Sequence, residues 1–144
     1  MTKRAPAGAT AKGQASLRPG GPKAKPGLDL IGESRSLLAE ARSTKAPALK
    51  TVVGLSHLEA VLSTVAAGTS SEEHSDSGPI TIQTIIGKVR ISSGEERIVL
   101  GAGGLMALDR NVRHVHEGIE DSVLLITFAW PNNQSGRFGG SEAE

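Results

Sequence analysis

Residues 68–87 read GTSSEEHSDSGPITIQTIIG and residues 103–118 read GGLMALDRNVRHVHEG. Each stretch opens and closes on glycine and carries histidine inside. In the first, the polar run Ser70 to Ser77 gives way to Ile80-Thr81-Ile82-Gln83, an apolar–polar alternation that predicts a half-buried strand ended by Gly87. Side chains two apart on a strand share a face. His74 is therefore expected to look the same way as Asp76, and His114 the same way as His116.

Working outward, the same alternation recurs. Leu49 to Leu55 and Leu58 to Ala67 are rich in Val, Leu and Thr. Val89 to Ser92, Arg97 to Leu100, Leu105 to Leu108, Val112 to His116 and Ser122 to Trp130 follow, with Gly94-Glu95 and the Gly101 to Gly104 cluster as turns. With Pro79 to Ile86, this makes about eight short strands at roughly ten-residue spacing, the pattern of an all-β barrel or sandwich. Ile80, Ile82, Ile86, Val89, Ile91, Leu108, Val123, Leu125 and Phe128 are the expected core, with Trp130 capping it.

The rest of the chain is unlike this body. Residues 1–27 hold six basic residues, no acid and a single Leu, too little apolar surface to offset the entropy of ordering. We expect a disordered basic tail there, with an organelle transit peptide or a non-specific nucleic-acid or anionic-surface tether as alternatives. Residues 28–43 place Leu30, Ser34, Leu37, Leu38 and Ala41 near helical spacing, with Asp29 and Glu33 early and Arg42 late, so one short amphipathic helix is expected. Residues 48–131 form the barrel domain, and 132–144 read as a flexible tail. The formal charge of +1 conceals an asymmetry: ten Lys/Arg against three Asp/Glu in residues 1–50, and six against twelve thereafter. The 144 residues include no Cys and no Tyr, which excludes disulfides, thiolate metal sites and cysteine nucleophiles. No apolar run reaches the ~18 residues of a membrane span. A cytoplasmic location is expected.

The two opening stretches resemble the paired motifs of the cupin family. The first cupin motif, G-x5-H-x-H-x3/4-E-x6-G, falls on Gly68, His74, Asp76, Ile80 and Gly87 with its spacing kept. The second, G-x5-P-x-G-x2-H-x3-N, falls on Gly103, Asp109, Asn111, His114 and Gly118. The resemblance covers about half the chain and implies a double-stranded β-helix, or jelly-roll, barrel. The departures are specific: Asp76 stands where the family has its second histidine, and Ile80 where it has its glutamate. Asp109, Asn111 and Gly118 replace Pro, Gly and Asn. Asn111 is a mild replacement, because Asn tolerates the left-handed conformation better than most residues.

The family's usual ligands, three His and one Glu, would hold Fe, Mn, Ni, Cu or Zn. Here the resemblance carries over His74 and His114, and strand parity adds His116 and Asp76. Against this, the polar setting of His74 reads as an exposed loop, and His116 next to Glu117 reads as an outward pair. The sequence shows no partner that would orient either motif imidazole. The expected barrel mouth is lined by His74, Asp76, His114, His116 and Gln83, whose parity differs from that of Ile80 and Ile82. There is no P-loop, dinucleotide fingerprint or supportable Ser-His-Asp arrangement. Three functions follow as expectations. The favoured one is a small single-domain cupin binding a small molecule, with a divalent metal as an optional component. The second is a metal-dependent dioxygenase or isomerase using His74, His114 and His116. The third is an interaction protein recruiting its partner through the basic tail. The resemblance also implies a homodimer.

Overall fold

The computed structural model describes residues 27–130. The tails expected at 1–27 and 132–144 lie outside the described residues, apart from Gly27. The chain opens with helix α1 (Leu30–Thr44). Eight strands follow: β1 (Leu49–Leu55), β2 (Leu58–Val65), β3 (Ile80–Ile86), β4 (Lys88–Ser93), β5 (Glu96–Gly101), β6 (Leu105–Leu108), β7 (Val115–Gly118) and β8 (Ser122–Ala129). All pairings are antiparallel. A five-stranded sheet runs β1-β2-β8-β3-β6 and a three-stranded sheet runs β5-β4-β7, a jelly-roll barrel as the sequence implies.

Helix α1 begins where its chemistry allows. The Asp29 side chain caps it, its Oδ1 accepting the Gly32 N–H at 3.1 Å, which satisfies one of the free amides of the first turn. It ends on Lys45, held in the left-handed conformation (φ 57°, ψ 38°), a common way to close a helix. Its buried residues are Ser34, Leu37 and Leu38, the stripe that the spacing predicts.

Two apolar clusters divide the core. Between the sheets lie Val61, Ile80, Ile82, Val89, Ile91, Leu100, Leu108, Leu124, Ile126, Phe128 and Trp130. On the outer face of the larger sheet, Leu37 and Leu38 of α1 pack on Leu62 and Val123, with Ile85, Ile86 and Leu125 alongside. Each such buried aliphatic side chain contributes about 1.5–3 kcal/mol of transfer free energy. The sequence reading put Ile86, Val123 and Leu125 in one core with Ile80. The structure assigns them to the helix side: Val123 and Leu125 alternate on β8 with Leu124, Ile126 and Phe128, which face the barrel core, and a bulge in the β3–β8 register between Thr84 and Ile86 turns Ile86 the same way. Trp130 closes the barrel, its ring stacked on Phe128 at 5.8 Å. Among the described residues, no helix is long and apolar enough to cross a membrane.

One departure from the cupin pattern now has a physical reason. At Gly118, where the motif has Asn, a Cβ would lie 2.3 Å from the carbonyl oxygen of Ala66. The chain returning from β2 passes too close for any side chain there. Asn111, at the motif's glycine, adopts φ 64°, as its chemistry permits.

The close approach at Gly118 gives a contrast to measure. Gly118→Ala should lower the stability read by urea unfolding by about 1–3 kcal/mol, the usual cost of overpacking. At Gly101 no atom lies within 4 Å of an added Cβ, so Gly101→Ala should stay within about 0.5 kcal/mol of wild type.

Candidate metal centre

The polar run expected to be an exposed loop is pinned along its length. The chain from Gly68 to Asp76 runs antiparallel to the chain from Asn111 to Gly118. Gly68 N–H donates to Gly118 O at 2.9 Å, Ser71 N–H to His116 O at 2.8 Å, and Asn111 N–H to Asp76 O at 2.7 Å. At the centre, His74 and His114 exchange both backbone hydrogen bonds, at 3.0 and 2.8 Å, and form an isolated β-bridge. Directly opposed residues in such a pair bring their side chains together. The two imidazole centroids are 4.3 Å apart.

His116 completes the group. It pairs with Ile91 across β4 and β7, and Ile91 belongs to the core between the sheets, so the imidazole faces the barrel interior. The outward pairing with Glu117 does not occur. Glu117 lies on the other face of β7, where its carboxylate takes the Arg90 guanidinium at 3.0 Å. The strand expected from Val112 starts at Val115, with His114 held only by its bridge to His74. The His116 ring centroid stands 5.1 Å from that of His114 and 5.2 Å from that of His74. One nitrogen from each of the three rings lies within 4.8 Å of the others.

Two of the rings are oriented by the backbone. His74 Nδ1 lies 3.0 Å from Glu72 O and His114 Nδ1 lies 3.1 Å from Val112 O. A carbonyl only accepts, so each Nδ1 carries a proton, and in the neutral ring the lone pair is then on Nε2. The sequence offered no such partner because the groups that supply it are main-chain carbonyls, whatever the residue type. The Nε2 atoms of His114 and His116 are buried and lack a hydrogen-bond partner among the described residues. A buried polar atom left this way is costly.

Burial favours the neutral form of His114 and His116. Burial pushes His116 down to about 3, with the neighbouring His114 and His74 adding to the effect. Burial also lowers His114, partly offset by its bond to the Val112 carbonyl. Asp76 stands close enough to feel both His74 and His114. Burial raises its carboxyl above the usual range, against the pull of the two imidazoles. Asp76 is nevertheless outside the three-nitrogen cluster. Gln83 is not brought to the histidines. On β3 it alternates with the buried Ile82 and Thr84 and sits across from Leu125, on the face that carries α1. Ile80, at the motif's glutamate position, is core.

The donor set fits a divalent transition metal. Three imidazoles are intermediate donors suited to Zn, Cu, Fe and Ni. Burial holds His114 and His116 in the neutral, metal-binding form, two of the rings are oriented by backbone carbonyls, and two lone pairs have no other partner among the described residues. His74, His114 and His116 would hold such an ion through one nitrogen each.

A cavity of about 580 Å³ adjoins the cluster, with His116 in its wall. The rest of its lining comes from the end of α1, the end of β2 and the start of the pinned run. Arg42 spans it to reach Asp121, with Nε and an Nη both within 3.2 Å of Oδ2. Asp121 Oδ1 accepts the Ala67 N–H at 2.9 Å. These two donors, the amide first, hold the Asp121 carboxyl below the usual carboxylate range. Sequence reasoning missed Arg42, Lys45 and Asp121 as cavity residues, since nothing local links a helix end to a turn 79 positions away.

No protein-family model matches the sequence, and no curated protein matches it. Solved structures do. A cupin superfamily protein from Desulfitobacterium hafniense aligns with a TM-score of 0.55 at 16% identity, over 58% of this chain and 76% of its own. An RmlC-like cupin from Shewanella frigidimarina gives 0.55 at 18% identity, over 58% and 75%. A salicylate 1,2-dioxygenase from Pseudaminobacter salicylatoxidans gives 0.59 at 12% identity, over 69% of this chain but 33% of that longer one. At these identities the likeness shows the fold, and the fold is that of the cupins.

A pH dependence follows from the buried imidazoles. The folded chain keeps His116 neutral down to about 3, whereas the unfolded chain takes up a proton near 6.5. Between those values the unfolded state binds more protons, so stability falls as the pH drops below 6.5. For His116 alone the loss between pH 7.5 and 5.5 is about 1.4 kcal/mol. Urea unfolding in the presence of chelator should show this His116 contribution to the loss, and His116→Gln should reduce the loss by about that amount.

Proposed function

We propose that this cupin-fold barrel holds a divalent transition metal on His74, His114 and His116 and presents it to a small molecule. The observation that carries the reading is the pair of buried, unpartnered Nε2 atoms on His114 and His116, clustered with a His74 nitrogen. A pocket that used imidazoles only as polar anchors would have no need to bury two of them facing each other. With Ile80 at the glutamate position, the set is three nitrogens and no carboxylate. Three protein donors with the remaining positions open is the arrangement of ligand-exchanging sites, where closed four-donor sets are structural. A bound metal there supplies Lewis-acid polarisation of a ligand oxygen or nitrogen.

The chain's own residues account for the rest. Glu72 O and Val112 O hold two rings in the metal-ready tautomer. The apolar side chains between the sheets keep bulk solvent from the buried side of the cluster. Asp76, whose carboxyl burial raises above the usual range, lies within electrostatic reach of His74 and His114. That last feature favours a second reading, catalysis of the dioxygenase or isomerase kind, and the salicylate dioxygenase shares the fold.

Metal analysis tests the proposal directly. Protein purified without an affinity tag should carry, or take up, close to one equivalent of metal per chain. The His114→Ala, His116→Ala double variant should lose it while keeping the β-rich circular dichroism of wild type. A folded wild-type protein that binds none of Fe, Mn, Ni, Cu or Zn would sink the metal reading and leave a metal-free binding pocket.

A further inference from the structure

The cavity beside His116 combines three features that together describe a ligand. Its walls are apolar where α1 and β2 meet, with Leu38, Ala41, Pro47 and Val65 among them. Its inner side is bounded by the largely buried His116. Its lining includes three charged side chains, Arg42, Lys45 and Asp121. The Asp121 carboxylate is spent on the Arg42 guanidinium and the Ala67 amide. Arg42 is spent in turn on Asp121. Lys45 makes no ion pair among the described residues, and its backbone is fixed as the left-handed cap of α1. The lining therefore offers one uncommitted positive charge over a hydrocarbon wall, at a volume of about 580 Å³ that suits a small ligand.

We propose that this cavity binds a small monocarboxylic acid with a hydrocarbon body, its carboxylate on the Lys45 ammonium and its far end at His116. The site is built by α1, which lies outside the barrel, so it adds a wall and a charge that the eight strands do not supply. A neutral or cationic molecule of the same shape meets the same walls but leaves Lys45 unanswered or repels it. A dianion would need a second free cation, and the one nearby is held by Asp121. The direction of the far end rests on the metal reading above, while the charged anchor does not.

Hexanoate, hexanamide and hexylamine, titrated into the full chain and followed by calorimetry, separate these requirements. In chelator-treated protein hexanoate should bind about tenfold more tightly than hexanamide, as one charged hydrogen bond gives, and hexylamine should not bind measurably. Lys45→Asn, which keeps a residue tolerant of the left-handed cap, should erase the preference for the acid, and Lys45→Arg should retain most of it. In zinc-loaded protein 6-hydroxyhexanoate should bind more tightly than hexanoate, because its far end then reaches the metal. If zinc is not taken up, the acid-over-amide preference still stands or falls in the chelated protein. Equal affinity for acid and amide, no binding of hexanoate, or a preference unchanged in Lys45→Asn overturns the proposal.

Discussion

The site depends on the antiparallel ladder that ties residues 68–76 to residues 111–118. Polar residues such as Ser70 to Ser77 have no hydrophobic reason to hold one conformation. Here the Ser71 and His74 amides and the His74 and Asp76 carbonyls are taken up by the opposing chain. Each bond contributes modestly in net terms, but leaving its buried groups unpaired would cost more. The ladder sets His74 directly across from His114, and β7 then delivers His116 two residues on. Three imidazoles from two segments some forty residues apart in sequence thus meet, with the Ser71 hydroxyl also accepting the His116 N–H.

Much of this was legible from spacing. Strand alternation located all eight strands, and the glycine–histidine intervals pointed to the cupin fold. What spacing could not give was direction. His116 precedes a glutamate, and sequence alone leaves open which of the two faces outward. The answer comes from Ile91 and Arg90 on β4, one receiving the imidazole face and the other the carboxylate. The bulge after Thr84 was equally invisible, since a run of Ile-Ile gives no sign of where the face changes. For the cavity the difficulty was distance. Arg42 and Asp121 look like ordinary surface charges until the fold brings them together.

The charge asymmetry of the chain also gains a location. The acidic half is the barrel, and α1 with its flanks brings part of the basic half to it. Arg42 meets Asp121, and Lys50 meets Glu33 within the same region. Exposed pairs of this kind add little to stability. Their effect is positional: Lys50–Glu33 ties the first turn of α1 and Arg42–Asp121 its last, and Lys45 is left without an ion pair among the described residues.

Each oriented histidine takes its Nδ1 partner from the main chain two residues before it, Glu72 for His74 and Val112 for His114. Ring orientation is thereby decoupled from the identity of neighbouring side chains. Substitutions around the site can accumulate without turning the imidazoles, as long as the strand path survives. Such a centre is robust to mutational drift in a way that a carboxylate-oriented one is not. That offers a physical reason why a chain with Ile80 in place of the motif's glutamate, and 12–18% identity to the three structures above, still brings three nitrogens to one place.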